Sequence, residues 1–322
     1  MSGQVVTEGF TGSTAPGWVM GGNGFTPTLT SGGIDPVNDG WLRLTDNANN
    51  RATYAYYDTA VSAANRTIFT SFDFAHYNGS GADGMTFFLF DGAAEFSVGA
   101  FGGSMGYAQK TLAGGGEVNK EGLAGGYLAI SMDNFGNFSN GTEGRVGGIG
   151  QNPNSIAVRG PGSGFDGYEF IAATGDGLNP ALTQQLDFPG MTSRPDQNGV
   201  DYRHIEILVT PTNQLSVWLQ FGAAGSLQRV MDVDLSGYLR PETLKFGFTS
   251  GTGGLNEIHE MRALTVATLV ANLWDNNGNG GATGAWATAD NWDPNFLPAL
   301  NADILFDNTH VGVAQTIDVG AG

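Results

Sequence analysis

Clusters of glycine, asparagine and aspartate interrupt this chain roughly every ten residues, and the runs between them are rich in threonine, valine, phenylalanine and tyrosine. Such spacing leaves room only for short strands joined by tight turns. The chain holds 52 glycines but only 14% charged residues, so it has few of the lysines and glutamates that face solvent on long helices. The sequence therefore predicts an all-β fold.

Apolar residues along the predicted strands follow two patterns. Leu215, Val217 and Leu219 lie two residues apart, which puts them on one face of a strand. The run from Phe87 to Phe90 is apolar at every position, as expected of a strand that is covered on both faces. Long loops on a rigid sheet commonly carry binding sites. Four glycine-rich segments are too long for hairpin turns and are candidates for such loops, at 99–106, 113–116, 141–150 and 160–167.

The charge of the chain limits the kinds of partner that it can bind. The formal net charge is −18 and the isoelectric point is near 4.3. Such a surface repels phosphate backbones and anionic lipids, so we expect no nucleic-acid partner. No apolar run approaches the roughly 18 residues of a membrane span, so we expect no membrane insertion. A surplus of acids suits the divalent cations outside the cell and favours a secreted or cell-surface protein, although an acidic surface kept for solubility explains it equally well.

The composition of the sequence changes near residue 267. Residues 1–266 keep the strand-and-turn pattern, whereas the following segment combines tryptophan with asparagine, aspartate and proline, as in Asn291-Trp292-Asp293-Pro294. This spacing resembles the repeat units of bacterial surface autotransporter-type proteins. We therefore predict a large β domain at 1–266 and a short partial β repeat or linker module at 267–322, and we interpret the chain as part of a longer polypeptide.

Two short motifs place an acid where an apolar strand meets a glycine-bearing turn. One is Gly81–Leu89, which contains Asp83, and the other is Leu128–Phe138, which contains Asp133. Oxygen ligands at strand ends can hold calcium, and a carboxylate beside an aromatic ring can hold a sugar. The sequence offers no comparable pattern for a nucleophile, a general base or a cofactor loop.

From Gly9 to about Leu264 the chain resembles the L-type lectins, the legume-lectin-like family that also occurs in bacterial surface proteins. The match is carried by four segments in the family's order: 82–89, 102–107, 128–137 with its Asp-x-x-x-Asn spacing, and 246–253 followed by His259-Glu260. The resemblance implies a two-sheet antiparallel β-sandwich, the concanavalin A-like jelly roll, over residues 1–266. It also implies a cis peptide bond before Asp83.

The resemblance further implies a carbohydrate site. Asp83 would accept hydrogen bonds from two sugar hydroxyls, which a carboxylate does well because charge-assisted bonds are about twice as strong as neutral ones. Turn capping by Asp83 is the structural alternative. Phe135 would present its ring to the sugar, unless it belongs to the core. The side-chain amide of Asn137 and the backbone N–H of Gly103 would donate hydrogen bonds to the sugar. Thr252 and Gly253 would line the far side of the site.

A calcium ion, Ca2+, is the cofactor that the resemblance implies. Its ligands would be the side chains of Asp133 and Asn137 and the carbonyl of Phe135. The position of a further family acid is Gly141, so we expect Glu143, or Asn140, to complete the shell. An Asx turn that merely closes a hairpin is the alternative for Asp133 and Asn137.

Catalysis is not expected. Glu257 and Glu260 flank His259 and weakly resemble the paired acids of sandwich-fold glycosidases. Those enzymes need both acids facing one cleft, about 5–10 Å apart, whereas residues three apart on a strand point to opposite faces.

The sequence therefore predicts a calcium-dependent carbohydrate-binding domain, a lectin, of a larger extracellular, adhesin-like protein, with a glycan or polysaccharide as its partner. Two alternatives stay open. One is an adhesion module that binds peptide or protein on the same sandwich, which the missing acid at Gly141 favours. The other is a sandwich-fold glycoside hydrolase.

Overall fold

The structure is a computed structural model that describes residues 3–112 and 118–269, together with the backbone of five short strands between 272 and 318. The described residues contain no α-helix, and the all-β prediction is confirmed. Two 3₁₀ helices, Gly102–Ser104 and Thr142–Gly144, lie in loops. The strands up to residue 269 are, in chain order, β1 (Gln4–Glu8), β2 (Trp18–Asn23), β3 (Thr28–Leu29), β4 (Leu42–Arg43), β5 (Ala52–Ser62), β6 (Thr67–Tyr77), β7 (Gly84–Asp91), β8 (Gly126–Asp133), β9 (Ser155–Arg159), β10 (Gly162–Ser163), β11 (Asp166–Gly167), β12 (Phe170–Ala173), β13 (Arg203–Val209), β14 (Gln214–Phe221), β15 (Gln228–Asp234), β16 (Thr243–Gly251) and β17 (Ile258–Leu269).

These strands form two sheets. The eight-stranded sheet has the order β15-β14-β13-β6-β17-β4-β3, and β1 also pairs with β17. The nine-stranded sheet has the order β11-β10-β8-β7-β16-β5-β2, with β9 beside β8 and β12 beside β9. All of the strand pairs in these two sheets are antiparallel. The two-sheet antiparallel β-sandwich that the resemblance implied is therefore confirmed.

The main core lies between the sheets and explains the alternating pattern of β14. Leu215, Val217 and Leu219 are buried on one face, as predicted, and all three belong to this core. Burying one such side chain contributes about 1.5–3 kcal/mol.

Strand β7 is covered on both faces, which explains why it is apolar throughout. Phe87 and Leu89 point into the main core, whereas Phe88 and Phe90 belong to a second cluster with Tyr107. This second cluster covers the other face of the nine-stranded sheet, and Tyr107 comes from the loop after β7. Long loops are thereby packed onto the sheet, which holds their tips at one edge.

The end of the sandwich lies slightly beyond the predicted boundary at residue 266, since β17 pairs with β1 as far as Thr268. Further strands are β18 (Asn272–Trp274), β19 (Thr283–Ala285), β20 (Trp292–Asp293), β21 (Ile304–Leu305) and β22 (Thr316–Asp318). Strand β18 pairs with β20 and β21, and β19 pairs with β22. The repeat or linker assignment of 267–322 stays a prediction. The glycine-rich segment 113–116 lies outside the described residues. Among the residues that are described, no helix is long and apolar enough to cross a membrane.

Candidate functional site

The two acid-bearing motifs meet at one edge of the nine-stranded sheet. Strands β7 and β8 are neighbours, and their register puts Gly84 opposite Asp133. Asp83 therefore lies beside the end of β8. The backbone N–H groups of Asn134 and Phe135 both donate to the carbonyl of Asp83, at 3.0 and 3.2 Å. The loops of the two motifs are thus joined directly.

The peptide bond between Ala82 and Asp83 is cis, as the resemblance implied. The next residue, Gly84, has a φ of 146°, and a Cβ there would lie 2.1 Å from the carbonyl oxygen of Met132. A side chain cannot fit in that space, so glycine is required where β7 approaches β8.

Two further loops reach the same edge. A Cβ added to Gly103 would lie 2.3 Å from the Cβ of Asn137, so the short helix Gly102–Ser104 rests directly on the loop after β8. The N–H of Gly102 donates to the carbonyl of Thr252 at 3.1 Å, which ties the loop after β16 to the same helix. Four chain segments far apart in sequence therefore converge on one place.

The converging loops enclose a cavity of about 420 Å³. Six of the residues predicted from the sequence line it: Asp83, Gly103, Phe135, Asn137, Glu143 and Gly253. Phe135 is half-buried and belongs to none of the hydrophobic clusters formed by the described residues. Its place at the cavity and outside these clusters favours the sugar-facing interpretation over the core one.

Thr252 does not line this cavity. Its side chain is buried, and its hydroxyl accepts a hydrogen bond from the N–H of Arg51 at 3.0 Å and donates to the carbonyl of Ala48 at 2.7 Å. The predicted role of Thr252 at the carbohydrate site is therefore not supported by its side chain. Thr252 instead anchors the loop that brings Gly253 to the cavity.

The carboxylate of Asp83 lies at the base of the cavity, where it is buried and has a raised pKa. The residue is only 3% exposed, and its Oδ2 has no hydrogen-bond partner among the described residues. Burial first, and repulsion by Asp133 second, raise the pKa of Asp83 to about 8, while Arg145 and Lys110 act in the opposite direction. Leaving a buried acceptor unpaired costs about 1–3 kcal/mol. Such an atom in a cavity therefore marks a candidate binding group.

In contrast to Asp83, Asp133 has both carboxylate oxygens bonded to backbone N–H groups of its own loop. Its Oδ1 accepts from the N–H of Gly136 at 2.8 Å and its Oδ2 from the N–H of Phe138 at 2.9 Å. Burial raises the pKa of Asp133 to about 7, although both of these backbone donors lower it. This is the Asx-type loop closure that the sequence left open as the alternative to a metal ligand.

Asn50, Phe101 and Lys110 are among the cavity residues that were not predicted as site residues from the sequence. The ammonium group of Lys110 lies 2.9 Å from Glu143 and 4.3 Å from the ring centroid of Phe101. Lys110 is one of only three lysines in the chain. A rare cation beside a glycine-rich segment is the signal by which the sequence could have revealed it.

The residues at this site do not fit the calcium shell that the resemblance implied. The assignment of Glu143 as a ligand stays a prediction, and two ion pairs oppose it: its Oε1 lies 2.9 Å from Lys110 and its Oε2 lies 3.0 Å from Arg145. Two cations bound to one carboxylate oppose a divalent ion beside it. The carbonyl of Phe135 already accepts from Gln151 at 3.0 Å.

Calcium needs six to eight oxygen ligands. Besides the side chain of Asp133 and the carbonyl of Phe135, the loop offers few free oxygen atoms. Position 141 is glycine and contributes no side-chain oxygen. Asn137 has its side-chain oxygen 3.3 Å from the amide of Asn140. Within residues 3–112 and 118–269, no group of three His, Asp or Glu side chains is arranged to hold a metal.

A buried polar cluster lies behind the cavity. The amide of Asn134 donates to Glu257 at 2.6 Å, and the same residue bonds His76 at 2.9 Å. Glu257 is fully buried. Glu260 is buried as well, in ion pairs with Arg43 at 2.7 Å and Arg194 at 2.5 Å. Neither glutamate lines the cavity, so neither can act on a glycan held there.

Replacing Glu257 by glutamine is expected to stabilise the protein at pH 8. Burial, reinforced by repulsion from Asp187, raises the pKa of Glu257 to about 9. Between its ordinary pKa of 4.5 and about 9 the unfolded chain releases this proton and the folded chain keeps it, so stability falls as the pH rises. Glu257→Gln removes that loss and keeps an acceptor for Asn134.

We expect the melting temperature of Glu257→Gln to exceed that of the parent by at least about 3 °C at pH 8, because one pKa unit corresponds to about 1.4 kcal/mol. The difference should vanish as the pH falls below 4.5, where the folded and the unfolded parent both hold the proton. Thermal melting across this pH range is the measurement. A lower melting temperature for the variant at pH 8 would show that the ionised carboxylate stabilises the fold.

The comparisons with known proteins agree with this architecture. The legume lectin domain model matches residues 23–268. Peanut lectin, solved with a 9-mer peptide, superposes with a TM-score of 0.53 at 20% identity, covering 82% of this chain and 97% of that one. Lectin I-B4 from Griffonia simplicifolia, in a metal-free form, gives 0.52 at 17% identity, with 83% and 100% covered.

Winged bean acidic lectin, solved with methyl-α-D-galactose, gives a TM-score of 0.54 at 17% identity, with 83% of this chain and 98% of that chain covered. A search of curated protein sequences found no match. At these identities the structural likeness shows the fold, and the family model shows the family. The chain therefore belongs to the legume lectin domain family, whose members are non-catalytic carbohydrate-binding proteins.

Proposed function

We propose that this protein binds glycans in the cavity at the edge of the nine-stranded sheet, with Asp83 as the central acceptor. One observation supports the proposal above the others: the Oδ2 atom of Asp83 is buried and unpartnered at the base of that cavity. A sugar hydroxyl is a donor of the right size to satisfy it. Binding then removes the energetic cost of leaving this buried oxygen unpaired, which adds to the free energy of binding.

The rest of the cavity suits the other parts of a sugar. Asn137 brings a side-chain amide and Gly103 a backbone N–H, both of which can donate to hydroxyl oxygens. The half-buried ring of Phe135 offers an apolar surface for the C–H face of a pyranose. Carbohydrate sites of this shallow kind bind single sugars in the millimolar to micromolar range, so effective binding would rely on several copies.

We further propose that the domain acts outside the cell or at its surface, as part of a longer adhesin-like protein. The net charge of −18 and the absence of cysteine from the sequence are compatible with that setting. The tryptophan- and asparagine-rich segment 267–322, which resembles an autotransporter-type repeat, supports it as well.

A glycan array tests the proposed function. We expect the purified chain to bind a defined subset of glycans and to be displaced by the corresponding free sugar. The array should be run once with calcium and once with a chelator, so that the result does not depend on the ion. Absence of binding to every glycan under both conditions would count against the proposal.

A second candidate, an interaction module for peptides, is favoured by one observation: the similar peanut lectin was solved with a 9-mer peptide. Binding of peptides in the same cavity, without displacement by any sugar, would support this alternative. Because both functions would use the same cavity, competition between peptide and free sugar separates them.

A further inference from the structure

The loop between β8 and β9 contains a buried cation of its own. The side chain of Arg145 is fully buried. Its Nε donates to the carbonyl of Asn140 at 3.1 Å, one Nη donates to Thr142 at 2.9 Å, and the other donates to Glu143 and Ser104, both at 3.0 Å. The bond to Ser104 joins this loop to the short helix that contains Gly103.

Arg145 also lies beside the residues that would hold a sugar. A Cβ added to Gly103 would be 3.3 Å from one Nη of Arg145 and 2.3 Å from the Cβ of Asn137. The guanidinium group therefore lies against Gly103, which in turn packs on Asn137. It also acts electrostatically on the carboxylates of Asp83 and Asp133, lowering the pKa of both against the effect of burial.

A second buried arginine holds the other half of the loop. Arg159, at the end of β9, is fully buried. It donates to the carbonyls of Phe138 at 2.8 Å, Val146 at 2.8 Å and Tyr168 at 2.7 Å, and more weakly to that of Asn140 at 3.3 Å. The carbonyl of Asn140 is thus shared by both arginines. The loop carbonyls of Phe138, Asn140 and Val146 are therefore already bonded to guanidinium groups.

With every group ionised, the charges around the loop balance without an added ion, and protonation of Asp83 below its pKa of about 8 makes the sum more positive still. Three acids interact here with three bases: Asp83, Asp133 and Glu143 with Lys110, Arg145 and Arg159. Counted as ionised, they sum to zero. A calcium ion would leave the cluster with two surplus positive charges in a poorly solvated place, where uncompensated charge is costly.

We infer that Arg145 and Arg159 organise this loop in the place where legume lectins usually bind metal ions, so that the site forms without a divalent cation. Two arginines do what an ion would do, since each gathers several oxygen atoms of one loop and fixes their positions. The inference concerns the site of the proposed function, but its principal test does not depend on glycan binding.

That test is a calcium titration of the full chain. The protein is treated with a chelator, freed of it by gel filtration, and divided into samples with and without millimolar calcium. We expect the melting temperatures to agree within about 1 °C and calorimetry with calcium alone to show no saturable binding. A bound ion at 100–1,000 times its dissociation constant would raise the melting temperature by about 6 °C or more. Such a rise, with saturable heat, would overturn the inference.

Arg145→Met tests the organising role, because methionine keeps part of the stem and removes the guanidinium group. We expect its melting temperature to fall by at least about 5 °C, in calcium and in chelator alike. The control is Arg229→Met, whose side chain is 59% exposed and pairs only with Asp232. A melting temperature equal to that of the parent would overturn the role of Arg145. If Arg145→Met does not fold, the calcium titration of the parent decides.

The two failures are distinguishable. Saturable calcium binding by the parent would contradict this inference and leave the glycan proposal intact. A glycan array without binding would contradict the proposed function and leave the arginine-organised loop intact.

Discussion

Asp83→Asn is expected to reduce glycan binding at least a hundredfold while the protein stays folded. Asparagine keeps the size of the side chain but replaces one acceptor oxygen by an NH₂ donor. The comparison is made at pH 9, above the pKa of about 8 of Asp83, so that the carboxylate is ionised. Hydrogen bonds to a charged group contribute about 1.5–3 kcal/mol each, and every 1.4 kcal/mol is a factor of ten in affinity. Loss of two such bonds would make millimolar binding undetectable. Titration with the best array glycan is the measurement.

The stability of the Asp83→Asn variant separates a binding role from a structural one. Because burial raises the pKa of Asp83 to about 8, the carboxylate does not stabilise the fold at neutral pH, and its removal should leave the melting temperature unchanged or higher. The matched control is Asp58→Asn, which changes a half-exposed carboxylate paired with Lys245. It should bind glycans like the parent. A sharp drop in melting temperature for Asp83→Asn, with binding retained, would assign Asp83 a turn-capping role.

Arg159→Met is expected to destabilise the protein by about 3–5 kcal/mol, which corresponds to a fall in melting temperature of roughly 10 °C. Replacing a buried ion pair by apolar groups is often neutral, but here the partners are backbone carbonyls that stay behind. The carbonyls of Phe138, Val146 and Tyr168 would lose their donor. Each unsatisfied buried acceptor costs about 1–3 kcal/mol, which outweighs the cost of burying the charge.

Chemical and thermal unfolding of Arg159→Met, beside Arg229→Met, measure this effect. The exposed control should stay within about 1 °C of the parent, as surface substitutions usually do. A change in the Arg159 variant as small as that of the control would show that water or local rearrangement satisfies the carbonyls. In that case Arg159 does not hold the loop.

Much of the fold followed from local patterns. The apolar run from Phe87 to Phe90 predicted a strand covered on both faces, and Leu215, Val217 and Leu219 predicted one buried face; both predictions hold. Period-two spacing and glycine punctuation are properties of neighbouring residues, so a sequence displays them directly. The position of Asp83 beside Asp133 needed more, because it depends on the register of two strands and came from the family resemblance.

The assignments that the structure does not support involve contacts between distant residues. Glu143 was chosen as an oxygen ligand because it lies close to Gly141 in sequence, but Lys110 is bonded to it from another loop. Arg145 and Arg159 gave no signal, since their partners are mainly backbone carbonyls, which every residue carries. A sequence shows which groups can bind a metal but not which counter-charges arrive from elsewhere. Thr252 is a related case, because its side chain points inward and donates to the backbone carbonyl of Ala48.

The hydrogen bonds of Arg145 have a consequence for where such a protein can work. A bound calcium ion exchanges with the solution and is removed by citrate, oxalate or dilution. A guanidinium group is covalently attached to the chain and, as arginine side chains generally do, keeps its charge. A recognition surface supported in this way keeps its shape in soft water, in phosphate-rich media and after passage through low-calcium compartments. Binding at such a site would then be independent of the calcium concentration around the protein.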